Sequence, residues 1–370
     1  MTILPCVRTT SVVSSSTGRH HVDVTCDEAT LSDLLRLAEP FLAVTPAGDR
    51  DGRPRPAVLA LTAAPEGRGW TRVAYSSPYE PDRVLWAHRS SRTVAVCGDP
   101  SPWRTQQLLR CVRNLLRWEH FADGELFLHG GLVQVGGRGI AFVGGKRSGK
   151  TSSILSALLH GGADFVSNDD LVVSDGDGPG LRGLGFPRSV NVRTDSLLAL
   201  AEGWPALRGL LRGATHPANS FPGLHHEQRT AVGPDPSVPP MVWVRCQELA
   251  EVTGSRLLAS GTLDAVVFPA FVDSADGQAV RRLSPAEART ALADHSERAA
   301  LSYDPFLADW YPDSRTDRRA AITDTLVSSV PCYRLTQDMH HLGAATEALL
   351  DTVLDGERVT TGHDHSQDPA

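Results

Sequence analysis

Lysine is almost missing from this sequence. Of 36 basic residues in the 370-residue chain only Lys146 and Lys150 are lysines, and both lie in one stretch, GGKRSGKT, from Gly144 to Thr151. Positive charge is short overall: the formal net charge is -7, and the arginines form only short pairs such as Arg281-Arg282 and Arg318-Arg319. That balance argues against nucleic acid or an anionic membrane as partner, since both call for a basic surface. No apolar run approaches the ~18 residues of a membrane span, and the opening MTILPCVRTTSVVSSSTGRHH has no apolar signal core. Cysteine is scarce too. Cys6, Cys26, Cys97, Cys111, Cys246 and Cys332 include no CxxC pair for a metal knuckle or redox motif. A cytoplasmic setting with free thiols is the expectation.

What is present describes a folded chain. Hydrophobic content of 41% with 21% charged residues fits a globular protein of one large or two ordinary domains. Residues 1–20 are rich in Ser and Thr and read as a flexible N-terminus. Over 21–120, RPAVLALTAAP, WTRVAYSS and RTVAVCGDP read as strands and EATLSDLLRLAEPFL as a helix, which predicts a small α+β domain. WRTQQLLRCVRNLLRWEHF places Leu108, Leu109, Val112, Leu115 and Leu116 on one helical face and leads into a second domain, 121–355. That domain closes with the helix GAATEALLDTVL. The polar tail, 356–370, reads as disordered, and there is no internal repeat.

The lysine-bearing stretch fits G-x-x-x-x-G-K-[ST] through Gly144, Gly149, Lys150 and Thr151. Glycines let backbone N–H groups turn inward around phosphate oxygens, and the following helix N-terminus adds its positive dipole end. In that pattern Lys150 serves the β- and γ-phosphates and the Thr151 hydroxyl holds Mg²⁺. The candidate nucleotide-binding set is Gly144, Gly145, Lys146, Ser148, Gly149, Lys150, Thr151 and Ser152. Context agrees, because GLVQV and GIAFV are strand-like runs joined by GGR, and TSSILSALLHGG reads as a helix with a glycine stop. The plain alternative is a glycine-rich turn without a ligand.

Ten helical residues carry the chain about 15 Å from the loop, and a short strand from Asp164 returns it about 13–16 Å. Asn168, Asp169 and Asp170 therefore land back at phosphate level. There one carboxylate can hold Mg²⁺ and another can take a proton from an acceptor hydroxyl. The competing reading is a solvated turn after a strand.

FLHGGLVQVGGRGIAFVGGKRSGKTSSILSALLHGGADFVSNDD resembles the HPr kinase/phosphorylase-like P-loop kinases, a family that includes kinases tailoring lasso peptides. The shared features are a hairpin before the loop, a His-Gly ahead of it at His129, and an acidic pair after the next strand. GFPRSVNVR, with Pro187 and Arg188, and the later VPCYRL resemble the lasso-type members. The likeness runs from His129 to about Val192, with scattered echoes to about residue 350, and none in the first hundred residues. It implies an α/β P-loop kinase domain of the HPr kinase and phosphoenolpyruvate carboxykinase-like type, preceded here by the small α+β domain. It also implies ATP and Mg²⁺ as cofactors, with Thr151 and Asp169 at the metal.

The family shows Asp-Asp where the best register puts Asn168 first. Either the pair is Asp169-Asp170, shifted by one and accommodated by a bulge, or the acceptor needs no strong base, or phosphate is not transferred. The first is favoured. Asp169, Asp170, His129 and Arg188 form the candidate catalytic set, with Arg188 suited to neutralising charge on the transferred group. A packed core histidine and a surface arginine are the bland readings of the last two. Lys146 and Arg147 are equally read as solvated tip residues. LHHEQRT, 224–230, lacks a convincing third metal ligand, and it lies in a Gly/Pro-rich stretch, Gly213 to Pro240, that reads as a lid or acceptor flap.

The expected activity is transfer of the γ-phosphoryl group of ATP to a hydroxyl of a peptide or small-molecule, natural-product type acceptor. The alternatives are a nucleotide-binding regulator or pseudokinase and a simple NTPase. Ser152 stands where the regulatory kinases of the sugar-transport phosphocarrier carry an acidic residue, which favours a tailoring kinase. Members of the family often assemble, so a homo-oligomer is a further expectation.

Overall fold

The computed structural model describes residues 8–47, 54–77, 80–175, 178, 180–221, 240–273, 277, 279–296 and 305–355. Residues 224–230 and the tail 356–370 lie outside these.

The described residues fold as a mixed α/β structure with four sheets among them. Its first part is a seven-stranded sheet of β1 (Arg8–Ser15), β2 (His21–Asp27), β3 (Leu42–Pro46), β4 (Ala57–Leu61), β5 (Trp70–Ser77), β6 (Glu80–His88) and β7 (Thr93–Cys97). The spatial order is β3-β1-β2-β4-β7-β6-β5. β5 and β7 lie where the sequence predicts them, but the loose start does not hold from Arg8 onward. RTTSVVSS forms β1, paired on both edges, because its β-branched residues suit a pleated surface and Val13 is fully buried. β6 has no clean alternation and carries Pro81, so periodicity passes over it.

Two helices pack on this sheet. Helix α1 (Glu28–Ala38) is capped by Asp27, whose carboxylate accepts a 2.9 Å hydrogen bond from Thr30 N–H. Helix α2 (Pro102–Ala122) starts at Ser101, with Pro at its first position. Its apolar stripe predicts one buried face, yet Arg104, Gln106, Gln107, Arg113, Asn114, Arg117 and His120 are buried as well. The helix is enclosed between the first sheet and the rest of the molecule, so its polar face became a buried network.

Next come β8 (Leu126–Leu128), β9 (Gly130–Val135), β10 (Arg138–Val143), helix α3 (Lys150–His160), β11 (Asp164–Ser167), β12 (Leu171–Ser174), β13 (Arg182–Leu184), β14 (Val190–Arg193), β15 (Met241–Val244), β16 (Ser260–Thr262), β17 (Ala265–Phe271), β18 (Ala279–Arg282) and β19 (Cys332–Gln337). A six-stranded sheet runs β11-β9-β10-β17-β19-β18, a four-stranded one β16-β13-β12-β8, and β14 pairs with β15. β10, β17 and β19 are parallel neighbours at the centre of the six-stranded sheet. β10 and β17 carry continuous apolar runs because both their faces are covered. The β9–β10 hairpin turns through Gly136 and Gly137 at φ 57° and 84°, the geometry of a two-residue turn that matches strand twist.

α3 packs through a small polar face. Ser156 Oγ donates to Leu342 C=O at 2.9 Å and lies 2.7 Å from Thr346 Oγ1, tying α3 to the C-terminal helix Leu342–Asp355. Among the described residues no helix is long and apolar enough to cross a membrane. The five cysteines among them, Cys26, Cys97, Cys111, Cys246 and Cys332, are free thiols.

Candidate functional site

The loop between β10 and α3 is the centre of the site. β10 ends at Val143, and α3 begins at Lys150 after Gly149, which holds φ 103°. A side chain at Gly149 is strained by that φ and crowded by the Phe271 ring, so the motif's second glycine is a backbone requirement. Gly144 N–H donates to His129 C=O at 3.1 Å, which fixes the loop to the strand entrance. Lys146 and Arg147 are exposed at the tip, and Arg147 has φ 68°. Lys150 is only 6% exposed, and its ammonium donates to the carbonyls of Gly144 at 2.8 Å and Gly145 at 3.0 Å.

The second half of the site is the turn from β11 to β12. Asn168 Oδ1 accepts a 3.2 Å hydrogen bond from Thr151 Oγ1. Asp169 adopts φ 66°, a left-handed conformation that Asp tolerates better than most residues. Its Oδ1 lies 3.5 Å from His129 Nε2 and 3.9 Å from Lys150 Nζ. Burial works to raise the Asp169 pKa, but the His129 hydrogen bond and the charges of Arg188 and Lys150 outweigh it and hold it below the usual carboxylate range. The return-distance argument thus places Asn168 and Asp169 beside the lysine, as expected.

Asp170 differs from expectation. Its carboxylate is buried away from the loop, with Arg188 Nη1 2.6 Å, Arg117 Nη1 3.3 Å and Arg113 Nε 3.5 Å away. Burial opposes its ionisation, but Arg117, Arg188 and Arg113 hold its pKa far below the usual range. A carboxylate so held is a poor proton acceptor. The left-handed turn at Asp169 is the physical reason: it sends consecutive side chains to different partners. Asp169 and Asp170 therefore do not form a pair over the loop, and the residues that face it together are Asn168 and Asp169.

Arg188 is brought close, but through Asp170 rather than by pointing at the loop. Its backbone carbonyl also accepts a 3.2 Å hydrogen bond from Cys246 Sγ. Ser152 is turned away as well, its hydroxyl donating to Ser196 Oγ at 3.2 Å. Ser153, His295 and Arg334 are further neighbours of the loop to which the sequence assigns no site role. Ser153 Oγ donates to Gly149 C=O and to Gln337 Oε1, at 3.1 and 3.0 Å, which links the start of α3 to the end of β19. His295 C=O accepts from His129 N–H at 3.0 Å, and burial with nearby Lys150 and His129 lowers the His295 pKa. Arg334 joins Gly144, Ser148, Phe268, Arg281 and His295 around a cavity of about 470 Å³ beside the loop. His295, Arg334 and Gln337 come from elements more than a hundred positions away, so no local spacing ties them to the loop.

One group of three metal-ligating side chains occurs among the described residues, buried His20, His120 and Glu125, apart from the loop. Glu125 is engaged by Arg19 at 2.6 Å and His120 Nδ1 at 2.7 Å.

The loop brings together a helix N-terminus, a lysine and a carboxylate opposite, the parts of an anion-binding site. Ser148 Oγ is buried there with no hydrogen-bond partner, so a polar valence inside the loop awaits an occupant. Thr151, Asn168 and Asp169 supply the hard oxygen donors that suit Mg²⁺.

No family model and no curated protein matches the chain. Among solved structures it is similar to the Hpr(Ser) kinase/phosphatase from Coxiella burnetii, at 11% sequence identity over 65% of this chain and 99% of that one, with a TM-score of 0.31.

Proposed function

We propose that the chain is an ATP-dependent phosphotransferase that moves the γ-phosphoryl group to a hydroxyl of a peptide or small-molecule acceptor. The observation that carries this reading is the convergence of Lys150, at the head of α3, with Asp169, 3.9 Å away across the turn after β11. A P-loop lysine and an ionised carboxylate flanking one cradle are the parts phosphoryl transfer uses.

The loop backbone and Ser148 bind the phosphates, and Lys150 leaves its loop carbonyls for their oxygens. The cavity beside Gly144, lined by Arg281, Arg334 and His295, is of a size to take the nucleoside. Thr151 and Asp169 would hold Mg²⁺, which when bound neutralises charge on the phosphate oxygens. The acceptor oxygen forms a bond to the γ-phosphorus while the bond to the β–γ bridging oxygen breaks, its electron pair leaving with ADP. Asp169, hydrogen-bonded to His129, is the group positioned to receive the hydroxyl proton. A strong base is not required, because proton loss is late in a loose transition state. Arg188 contributes positive potential from behind Asp169 and keeps Asp170 as its structural counter-ion.

A second reading, an ATP-binding regulator without transfer, is favoured by Asn168 and by the engagement of Asp170 with arginines. Incubation with Mg²⁺ and ATP tests the two, with acceptors screened by mass for added phosphate and Lys150→Ala as control. Lysine-dependent phosphate on an acceptor supports the kinase. ATP bound but never consumed across a broad screen overturns it in favour of the regulator.

A further inference from the structure

A second cavity, of about 300 Å³, lies where the seven-stranded sheet and α2 meet the segment after β13. Its wall holds four arginines, Arg83, Arg110, Arg113 and Arg188, with Glu80 as the acidic residue among them. Among the described residues, single carboxylates serve several of these arginines at once. Glu80 serves Arg83 at 3.5 Å and Arg110 at 2.9 Å, while Asp170 serves Arg113, Arg117 and Arg188. Arg113 carries the consequence. It is 6% exposed, and its Nε pairs with Asp170 at 3.5 Å without forming a hydrogen bond. Burial, reinforced by the charges of Arg188, Arg117 and Arg110, pulls its pKa down to about 10 although Asp170 acts the other way. The same wall contains Gln106, 5% exposed, whose Oε1 is also without a partner.

Positive charge crowded into a partly desolvated cavity is costly unless an anion completes it. Guanidinium groups supply the planar, forked donors that carboxylates and phosphates accept. Trp243 and Tyr75 add aromatic surface to the same wall. The cavity also adjoins the reaction site through one residue: Arg188 lines it and pairs at 2.6 Å with Asp170, the chain neighbour of Asp169.

We propose that this cavity is the acceptor site, and that the acceptor is an anionic molecule whose carboxylate or phosphate docks against Arg110, Arg113 and Arg83. This rests on the phosphotransferase reading. The anionic group anchors the acceptor at the arginines while its hydroxyl faces the Asp169 side of Arg188. The first sheet, through β6, then selects the substrate.

Trp243 provides a local reporter. The full chain carrying Lys150→Ala, which weakens the loop's own phosphate affinity, is titrated with inorganic phosphate and separately with malonate while tryptophan fluorescence is followed. The expected result is a saturable change with at least one probe, absent in Trp243→Phe and weakened at least tenfold in Arg110→Gln. Phosphate alone, malonate alone or both assigns the anion class. No saturable change with either probe overturns the proposal, as does a response that Arg110→Gln leaves intact. Arg83→Gln is the second variant should Arg110→Gln not fold by circular dichroism. ATP binding by the unsubstituted chain is measured alongside. An anion response without ATP binding sinks the phosphotransferase reading, and with it the acceptor role, while the anion site itself stands; ATP binding without an anion response sinks the pocket alone.

Discussion

Asp169 and Asp170 are neighbours in the chain with opposite attachments: Asp169 lies 3.5 Å from His129 Nε2 at the loop, and Asp170 lies 2.6 Å from Arg188 Nη1 in the interior. The two carboxylates therefore separate into one that serves the loop and one that holds three arginines in place. Their replacement by asparagine separates activity from stability. Asp169→Asn is expected to slow phosphoryl transfer by roughly a hundredfold or more while leaving the unfolding temperature nearly unchanged. Asp170→Asn strands buried guanidinium charge, which costs about 3–5 kcal/mol and is expected to lower Tm by roughly 4–6 °C. Turnover assays and thermal unfolding on both variants check this, and equal destabilisation by the two would contradict the division.

Lys150 is the cation the loop holds ready, bonded to the carbonyls of Gly144 and Gly145. Its replacement by alanine removes a charge from the phosphates. Lys150→Ala is expected to weaken ATP binding by roughly a hundredfold, measured by calorimetry. Lys146→Ala, at the exposed tip, is expected to change it by less than about threefold.

The elements around the loop were legible because each had a local cause. Two glycines made the hairpin turn, Gly149 began the helix, and the rise of helix and strand returned Asn168 and Asp169 to the lysine. What decided Asp170 was not local. Arg113 and Arg117 sit on the polar side of α2, which by amphipathic pattern reads as a solvent face. They became its counter-ions only because the first sheet and the rest of the molecule enclose that helix. β1 and β6 were hidden for a related reason: their Ser, Thr and charged residues look like loop until neighbouring strands pair with them. Arg334 and Gln337 reach the loop through sheet order, which no spacing in the sequence encodes.

Two buried histidines make stability fall in mild acid. His20 is 7% exposed and His216 6% exposed, and the pKa of each is pushed down to about 3. Burial is the main cause in both, with His120 next for His20 and Arg245 and Arg110 for His216. Unfolded histidine protonates near pH 6.5, so below that pH the unfolded chain binds protons the folded chain refuses. Their contribution is fully present above that pH and is lost as pH falls toward 3, at about 1.4 kcal/mol per pH unit for each histidine. Urea unfolding between pH 7.5 and 4.5 is expected to show this slope, and His216→Gln to reduce it by one histidine's share. A flat profile over that window would rule the histidines out as its source.

Asn168 separates the two functional readings. Its Oδ1 accepts from Thr151 Oγ1 at 3.2 Å, beside Asp169, so Asn168→Asp adds a carboxylate at the phosphate end of the site without enlarging the side chain. If the chain is a regulator that lost its acidic pair, restoring that pair supplies the missing proton acceptor, and turnover should rise at least tenfold. If it is a phosphotransferase working through Asp169, the second negative charge repels both Asp169 and the γ-phosphate. Neighbouring carboxylates raise one another's pKa, so the variant should bind ATP more weakly and gain no activity. The phosphotransferase reading predicts the second outcome, measured as ADP release with and without acceptor. A tenfold gain in the variant would instead identify the natural chain as a regulator whose Asn168 silences transfer.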